Sequence, residues 1–423
     1  MAFVAGCAAN KPYQIELMPA PELYTANVVD PFEGIQGIGD EAVPYRGILY
    51  ATDRKPSEDG HADYENQRGF VLRLGMAEIV MGGEHLDWEE ARRISLLKNR
   101  SAAYPLKVSA VNEFGVLDRS ANELIDPNRL PSDLKAAART FSELVNAKLA
   151  ISRQKEILIY VHGYKVVFDN PILVTTELWH FLGYDGVAIA FAWPSTPSRW
   201  AYLSDIETAA LSAFNLRLLI NYLAEETDAE RINIIGYSAG TRVVIDALGQ
   251  LALIHAETPA DVLKRELPIG QVLLVGSDYD RGLFAANLID GLLNLPEHLT
   301  IYASEVDRAL RASQWLFARN RLGQMWNKRP LKPHIHAYLE KNRSLRIIDV
   351  TKAESADAGN GHAYFRSSPW VSSDILVSLY FGFSPEQRGL VKDPDMPVWH
   401  FPDDYLDRLQ SLMVANHPQS KQP

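Results

Sequence analysis

Short apolar runs rich in β-branched residues alternate with longer segments of helical spacing from about residue 155 onward. Most of the runs are continuously apolar rather than alternating, which is typical of parallel strands that helices cover on both faces. The pattern predicts βα units around a mostly parallel sheet. Six strands are predicted, over residues 156–163, 186–193, 231–236, 271–276, 299–303 and 345–350.

The first 150 residues carry a different pattern. Three short apolar runs predict strands over residues 47–52, 70–74 and 105–110, and helical spacing follows over residues 131–150. We interpret this region as an N-terminal strand extension of the main sheet, with a separate small domain as the alternative. From Ser384 onward the chain is rich in Pro and Asp, which predicts an irregular segment with a frayed tip.

Charge and composition exclude several classes of protein. The net charge of −11 provides no extended basic surface for phosphates, so no nucleic-acid partner is expected. No uncharged apolar run reaches the roughly 18 residues of a membrane-spanning helix. The single cysteine, Cys7, excludes an internal disulfide framework and a cysteine-based zinc site.

The pentapeptide Gly236-Tyr-Ser-Ala-Gly240 contains a candidate nucleophile, Ser238. A β-branched run ends at Gly236, and helical spacing begins directly after Gly240. This strand–turn–helix setting is what a nucleophile elbow requires, because the glycines permit a turn too tight for Cβ atoms beside the serine. An ordinary βα turn with a capping serine is the alternative.

A serine hydroxyl becomes nucleophilic when a base removes its proton, and in the chain order Ser, acid, His the base lies downstream. His362 is our first candidate, because it follows the last predicted strand in a glycine-rich turn. The other downstream histidines are His334, His336, His400 and His417. His334 and His336 have no carboxylate cluster at ligand spacing, so no metal site is predicted.

The acid that orients the base is expected just beyond the carboxyl end of a strand. Asp307 follows the predicted strand at residues 299–303 and ranks first. Asp280 and Asp278 follow the preceding strand and are the competing candidates, and Glu305 is a fourth.

An oxyanion formed during acyl transfer needs backbone N–H donors that are already in place. One donor is expected from the residue after the nucleophile, Ala239, and the second from the loop after an earlier strand. Tyr164 fits the second position, because Gly163 before it lets the backbone approach the substrate. His162 is interpreted as a structural residue.

Seven short motifs, spread over most of the chain, together resemble those of a known protein family. They are Tyr50-Ala-Thr-Asp-Arg54, His162-Gly-Tyr164, Trp193-Pro-Ser195, Gly236-Tyr-Ser-Ala-Gly-Thr-Arg242, Ser277-Asp-Tyr-Asp280, Tyr302-Ala-Ser-Glu-Val-Asp307 and Gly361-His-Ala-Tyr364. Over about residues 46–380 the sequence resembles the α/β-hydrolase superfamily, and more closely a bacterial family of it labelled as a domain of unknown function. Members often have His at the position of Tyr237 and Met at that of Ala239, differences that affect the pocket lining. The resemblance implies an esterase-like or lipase-like hydrolase without naming a substrate.

Four regions follow from these patterns. Residues 1–40 are expected to form an N-terminal tail, residues 41–150 the sheet extension, residues 151–385 the α/β-hydrolase catalytic domain and residues 386–423 a C-terminal tail.

Cys7 raises the question of a membrane anchor. Val4-Ala-Gly-Cys7 resembles the lipobox of bacterial lipoproteins, in which the cysteine is acylated, but the charged and apolar regions expected upstream are missing. If the given start lies inside a longer signal peptide, Cys7 is the lipid attachment site and the protein belongs to the bacterial cell envelope. If the match is accidental, a cytoplasmic location is expected.

The expected chemistry is cleavage of an ester, thioester or amide through an acyl-serine intermediate. It needs no cofactor, and the expected partner is a small-molecule or lipid-like acyl substrate. An inactive hydrolase-fold binding or envelope scaffold, and an acyltransferase that uses the same triad, are the alternatives. The sequence does not predict the oligomeric state.

Overall fold

A computed structural model of the chain provides the structure. The residues that it describes are 13–25, 29–35, 44–45, 47–58, 63–82, 86–122, 124, 132–196, 202–311, 321–324 and 332–416.

One sheet of twelve strands organises the described part of the chain. In chain order the strands are β1 Gln14–Glu16, β2 Gly47–Pro56, β3 Tyr64–Met81, β4 Pro105–Val116, β5 Glu156–Val161, β6 Val187–Phe191, β7 Arg231–Tyr237, β8 Ile269–Val275, β9 His298–Ala303, β10 Leu345–Asp349, β11 Val391–Lys392 and β12 Trp399–His400. Their order across the sheet is β1-β4-β3-β2-β6-β5-β7-β8-β9-β10-β12-β11. All six strands predicted from the apolar runs are present, as β5 to β10.

The central strands are parallel, as predicted. From β2 through β6, β5, β7, β8, β9 and β10 to β12, each neighbouring pair is parallel. The carboxyl ends of these strands therefore meet at one edge of the sheet, where catalytic groups collect in open α/β folds.

Helices follow most of the central strands. All helices of the described residues, including those of the N-terminal and C-terminal segments, are α1 Glu22–Thr25, α2 Trp88–Ser95, α3 Ala136–Ile151, α4 Asp169–Phe181, α5 Tyr202–Glu226, α6 Gly240–Ile254, α7 Ala260–Glu266, α8 Arg281–Ile289, α9 Pro333–Lys341, α10 Tyr364–Ser367, α11 Pro369–Phe381 and α12 Tyr405–Asn416. Short 3₁₀ turns cover Asp118–Ser120, Leu292–Asn294 and Glu386–Arg388.

Apolar side chains fill both faces of the sheet. Along β5, Leu158 and Tyr160 belong to one hydrophobic cluster, whereas Ile157, Ile159 and Val161 belong to a second cluster on the opposite face. Residues of α4 and α11 complete the first cluster, and residues of α5 and α6 complete the second. Burial on both faces explains why the runs in the sequence are continuously apolar.

The N-terminal strands continue this sheet. β2, β3 and β4 form an antiparallel meander, and β2 also pairs in parallel with β6. All three strands are longer than the apolar runs predicted, because each of them also includes polar residues. The helix expected over residues 131–150 begins at Ala136 and ends at Ile151.

The chain after Ser384 is more ordered than expected. Instead of an irregular segment, it forms a 3₁₀ turn, two short strands and α12. Phe401, Tyr405, Leu409 and Met413 are buried in the first cluster. These apolar residues, spaced four apart, anchor the segment on the sheet despite its content of Pro and Asp.

No helix among the described residues combines the length and the apolar character needed to cross a bilayer.

Candidate active site

Ser238 lies in the sharp turn between β7 and α6, at the carboxyl edge of the sheet. Its φ of +53° falls in the left-handed region, a strained conformation that costs a residue other than glycine about 1 to 3 kcal/mol. Three backbone contacts hold it there. Its N–H donates to the carbonyl of Val275 at 2.9 Å, and its carbonyl accepts from the N–H (3.1 Å) and hydroxyl (2.6 Å) of Thr241.

Close backbone approach explains the glycines on either side of Ser238. A Cβ atom on Gly240 would lie 2.3 Å from the carbonyl oxygen of His162, a distance that no neighbour could relieve without moving the backbone. On Gly236 it would lie 3.0 Å from a methyl group of Val244. The turn therefore has the geometry expected of a nucleophile elbow rather than that of an ordinary βα turn.

His362 lies beside Ser238, in the loop between β10 and α10. Its Nε2 is 2.8 Å from Ser238 Oγ, and its ring packs against that of Tyr237 with 5.2 Å between centroids. On another side the backbone of Gly276, at a φ of +56°, leaves room for the imidazole, since a Cβ there would lie 3.0 Å from His362 Cε1. The ring is thus held in one orientation, with its side chain only 10% exposed.

Asp307 completes the arrangement. It follows β9 and is buried, and its Oδ2 lies 2.6 Å from His362 Nδ1. Its second oxygen, Oδ1, accepts a hydrogen bond from the N–H of Leu310 at 2.9 Å. Ser238, His362 and Asp307 therefore form one hydrogen-bonded chain, assembled from loops that follow three different strands.

The competing carboxylates have other contacts. Asp278 is buried between two guanidinium groups, with its oxygens 3.4 Å from Arg242 Nη2 and 3.4 Å from Arg321 Nε. Asp280 caps α8 by accepting hydrogen bonds from the N–H groups of Gly282 and Leu283, at 2.8 and 3.0 Å. Neither is the carboxylate at His362.

The remaining candidates are not part of this chain of contacts. Glu305 is exposed, His334 lies exposed at the start of α9, and His336 lies in the same helix. His400 belongs to β12 near the sheet edge, and His417 lies outside the described residues. Within the described ranges, no group of three or more His, Cys, Asp or Glu side chains could hold a metal ion.

The two residues predicted to supply oxyanion donors lie on either side of Ser238. Ala239 is the next residue in the elbow and is buried. Tyr164 follows Gly163, and a Cβ atom on Gly163 would lie 3.0 Å from Ser238 Cβ. The loop after β5 therefore runs directly past the serine, and only a glycine at position 163 permits the approach without displacing it.

His162, at the start of that loop, is a structural residue in the described geometry. Its Nε2 lies 3.0 Å from the carbonyl oxygen of Trp193, and its ring stacks on that of Trp193 at 5.3 Å. Burial, and next the cation of Arg54, lower the pKa of His162 well below its ordinary value. A histidine held neutral in this way can brace the loop through these contacts.

Tyr364 has a role at the site that sequence reasoning did not assign. Its buried hydroxyl accepts from the N–H of Gly276 at 2.6 Å and donates to the carbonyl of Tyr302 at 2.9 Å. It thereby ties the end of β8, which supports His362, to β9, which leads to Asp307. Tyr364 belongs to the motif Gly361-His-Ala-Tyr364, on which the family resemblance partly rests, and this was the one hint of its importance in the sequence. Its hydrogen-bond partners are evident only from the fold.

Cys7, the predicted lipid attachment residue, lies outside the described residues, and its acylation stays a prediction.

The parallel sheet, the elbow and the Ser–His–Asp contacts define an α/β hydrolase. The chain belongs to the family described as "Alpha/beta hydrolase of unknown function (DUF900)", whose model matches residues 137–378, more than half of its length. This confirms the predicted resemblance and the predicted fold. No curated protein and no solved structure matched the chain. The matched segment contains Ser238, Asp307 and His362, and strands β1 to β4 precede it.

Proposed function

We propose that the protein is a serine hydrolase that cleaves an ester, thioester or amide through an acyl-serine intermediate. The observation that carries the proposal is the chain of contacts from Ser238 Oγ through His362 to Asp307, with distances of 2.8 and 2.6 Å. Membership of an α/β-hydrolase family supports hydrolysis in general. The bond type and the roles of the three residues are our proposal.

In the first half of the reaction, His362 Nε2 removes the proton of Ser238 as Oγ attacks the substrate carbonyl carbon. The negative charge that develops on the carbonyl oxygen is stabilised by the N–H groups of Ala239 and Tyr164. The imidazolium then gives its proton to the leaving group as the bond to that group breaks, and the acyl group remains on Ser238.

In the second half, a water molecule takes the place of the leaving group. His362 accepts a proton from the water as its oxygen attacks the acyl carbon, and then returns a proton to Ser238 Oγ as the acid is released. Asp307 stays ionised throughout, fixes Nδ1 as the protonated nitrogen of the resting imidazole and stabilises the imidazolium. The N–H of Leu310 supports that role by holding the second oxygen of Asp307.

Hydrolysis of p-nitrophenyl esters of graded acyl length tests this proposal, and the length at which the rate falls measures the acyl pocket. The purified chain, Ser238→Ala and the control Ser378→Ala are compared, because Ser378 is also buried but belongs to α11, away from the elbow. We expect turnover by the wild type and by Ser378→Ala, and loss of turnover in Ser238→Ala. Product analysis with an added alcohol then separates hydrolysis from acyl transfer. Equal turnover by all three proteins would contradict the proposal.

A further inference from the structure

Arg54 is a fully buried cation at the catalytic edge of the sheet. It lies near the end of β2, which runs parallel to β6 and extends past it toward the edge where Ser238 lies. Burial lowers the pKa of Arg54 to about 10, and the carboxylates of Asp53, Asp205 and Asp169 oppose this effect from a distance. The guanidinium therefore stays charged at neutral pH. None of the ion pairs found among the described residues includes it.

The contacts of Arg54 lead to the loop that passes the nucleophile. Its Nη2 donates to the carbonyl of Val166 at 3.0 Å, and its Nη1 donates to Asn66 Oδ1 on β3. Val166 lies two residues after Tyr164 in the loop that follows β5. The side chain thus joins the N-terminal meander to the segment proposed to supply the second oxyanion donor.

That loop needs external support because its backbone is strained. Lys165, between Tyr164 and Val166, has a φ of +67°, in the left-handed region that residues with a Cβ rarely adopt. The backbone of Val166 is held at both its N–H and its carbonyl. Its N–H donates to Ser195 Oγ at 3.3 Å, and its carbonyl accepts from Arg54 and, at 3.3 Å, from the hydroxyl of Ser195. Fixing Val166 fixes the direction of the preceding peptide groups, including the N–H of Tyr164.

The charge of Arg54 also acts on this loop. Its cation is the second-largest cause of the lowered pKa of His162, the first residue of the loop. A buried cation without a directly contacting carboxylate is costly to maintain, and such groups are concentrated at functional sites. Its hydrogen bond to the oxyanion loop supplies the functional reason.

We infer that Arg54 is a positioning residue for the oxyanion hole, which makes the N-terminal sheet extension a working part of the catalytic site. This inference rests on the proposed serine-hydrolase function. It also assigns a role to the Tyr50-Ala-Thr-Asp-Arg54 motif, which lies before the segment matched by the family model.

The test compares steady-state hydrolysis of a p-nitrophenyl ester with binding of a trifluoromethyl ketone. The ketone forms a tetrahedral adduct with the serine, and its oxyanion occupies the same hole. For Arg54→Gln we expect kcat to fall about 10- to 100-fold, KM to change less than about threefold, and the ketone inhibition constant to weaken by a factor similar to that of kcat.

Two further variants make the test specific. Arg346→Gln is the matched control, because Arg346 is a buried arginine of β10 whose pKa burial also lowers to about 10. It should keep wild-type kcat and ketone affinity. Ser195→Ala removes the contacts of the Ser195 hydroxyl with the N–H and the carbonyl of Val166 and should shift kcat and ketone affinity in the same direction as Arg54→Gln by a smaller factor. It serves as the test if Arg54→Gln does not fold.

Wild-type kcat and ketone affinity in folded Arg54→Gln would overturn the inference while leaving the proposed function intact. The same result in Ser195→Ala, with Arg54→Gln unfolded, would overturn it too. If the wild type neither hydrolyses esters nor binds the ketone, the proposed function fails and the inference fails with it.

Discussion

His362 Nδ1 lies 2.6 Å from Asp307 Oδ2, although 55 positions separate the two residues in the chain. The contact forms because β9 and β10 are parallel neighbours, so the loops that follow them meet at one edge of the sheet. Asp307 offers one oxygen to the imidazole and the other to a backbone N–H, and it is buried among neighbours that exclude water.

Replacing Asp307 with Asn should lower kcat by at least about 100-fold with little change in KM. The amide keeps the shape of the carboxylate but removes the charge that stabilises the imidazolium and favours the wrong tautomer. Steady-state kinetics measure the effect. It should be non-additive with His362→Ala, because the two residues act as one unit.

Asp278→Asn and Asp280→Asn are the matched controls for that change. Asp278 pairs with two arginines and Asp280 caps α8. Each substitution should therefore lower the free energy of unfolding while it changes kcat little. Denaturant titration and kinetics on the same preparations separate the two effects. If Asp307→Asn kept near-normal kcat while either control lost it, the acid would lie after β8 instead.

Removing the hydroxyl of Tyr364 should weaken the support of His362 and Asp307. In Tyr364→Phe the N–H of Gly276 and the carbonyl of Tyr302 lose their shared partner, so His362 and Asp307 are held less firmly. We expect a decrease in kcat of about 3- to 30-fold, with stability lowered by about 1 to 3 kcal/mol for the buried groups left unpaired. Tyr302→Phe, which removes a hydroxyl bonded to Asp374 instead, should lower stability without a comparable loss of kcat. Equal kcat in wild type and Tyr364→Phe would contradict the positioning role.

Acid should destabilise the protein through His180. Burial, and next the cation of Arg100, lower the pKa of His180 in α4 to about 3. An unfolded chain binds the proton near pH 6.5, so the stability linked to this residue is complete above that pH and is lost as the pH falls toward 3. Between these two pH values, this residue alone should lower the free energy of unfolding by about 1.4 kcal/mol for each pH unit of acidification.

Denaturant titrations between pH 7 and pH 4 measure that slope. His180→Gln should be less stable than wild type at pH 7, because the imidazole bonds both Tyr184 and Ser95, at 2.7 Å each. Its stability should nevertheless depend less steeply on pH. An unchanged slope in the variant would show that other groups control the acid response.

The central sheet and the grouping of Ser238, His362 and Asp307 at one edge of it were predictable from sequence for the same physical reason. Strands buried on both faces must be continuously apolar, and in a parallel sheet the loops after successive strands converge. Ser238 was identified by its glycines, His362 by its glycine-rich turn after the last predicted strand, and Asp307 by its place after β9. Which of Asp307, Asp278 and Asp280 lies against His362 stayed open until the contacts of all three carboxylates were known.

Other features depend on contacts that leave no local pattern. The order of the segment after Ser384 comes from Tyr405 and its apolar neighbours packing on a distant part of the sheet, whereas its local composition favours an irregular chain. Arg54 and Val166 are 112 positions apart, and nothing near Arg54 in sequence indicates that its guanidinium reaches the loop after β5. Long-range pairing of this kind is set by the topology of the sheet.

The most direct test of the central claim is to locate the nucleophile chemically. A fluorophosphonate probe is allowed to react with the native chain, and the labelled peptide is identified by mass spectrometry after digestion. We expect one label, on the peptide that contains Ser238, which heat denaturation prevents and which is absent from Ser238→Ala. A native, folded chain that takes up no probe, or a Ser238→Ala variant labelled as fully as the wild type, would contradict it.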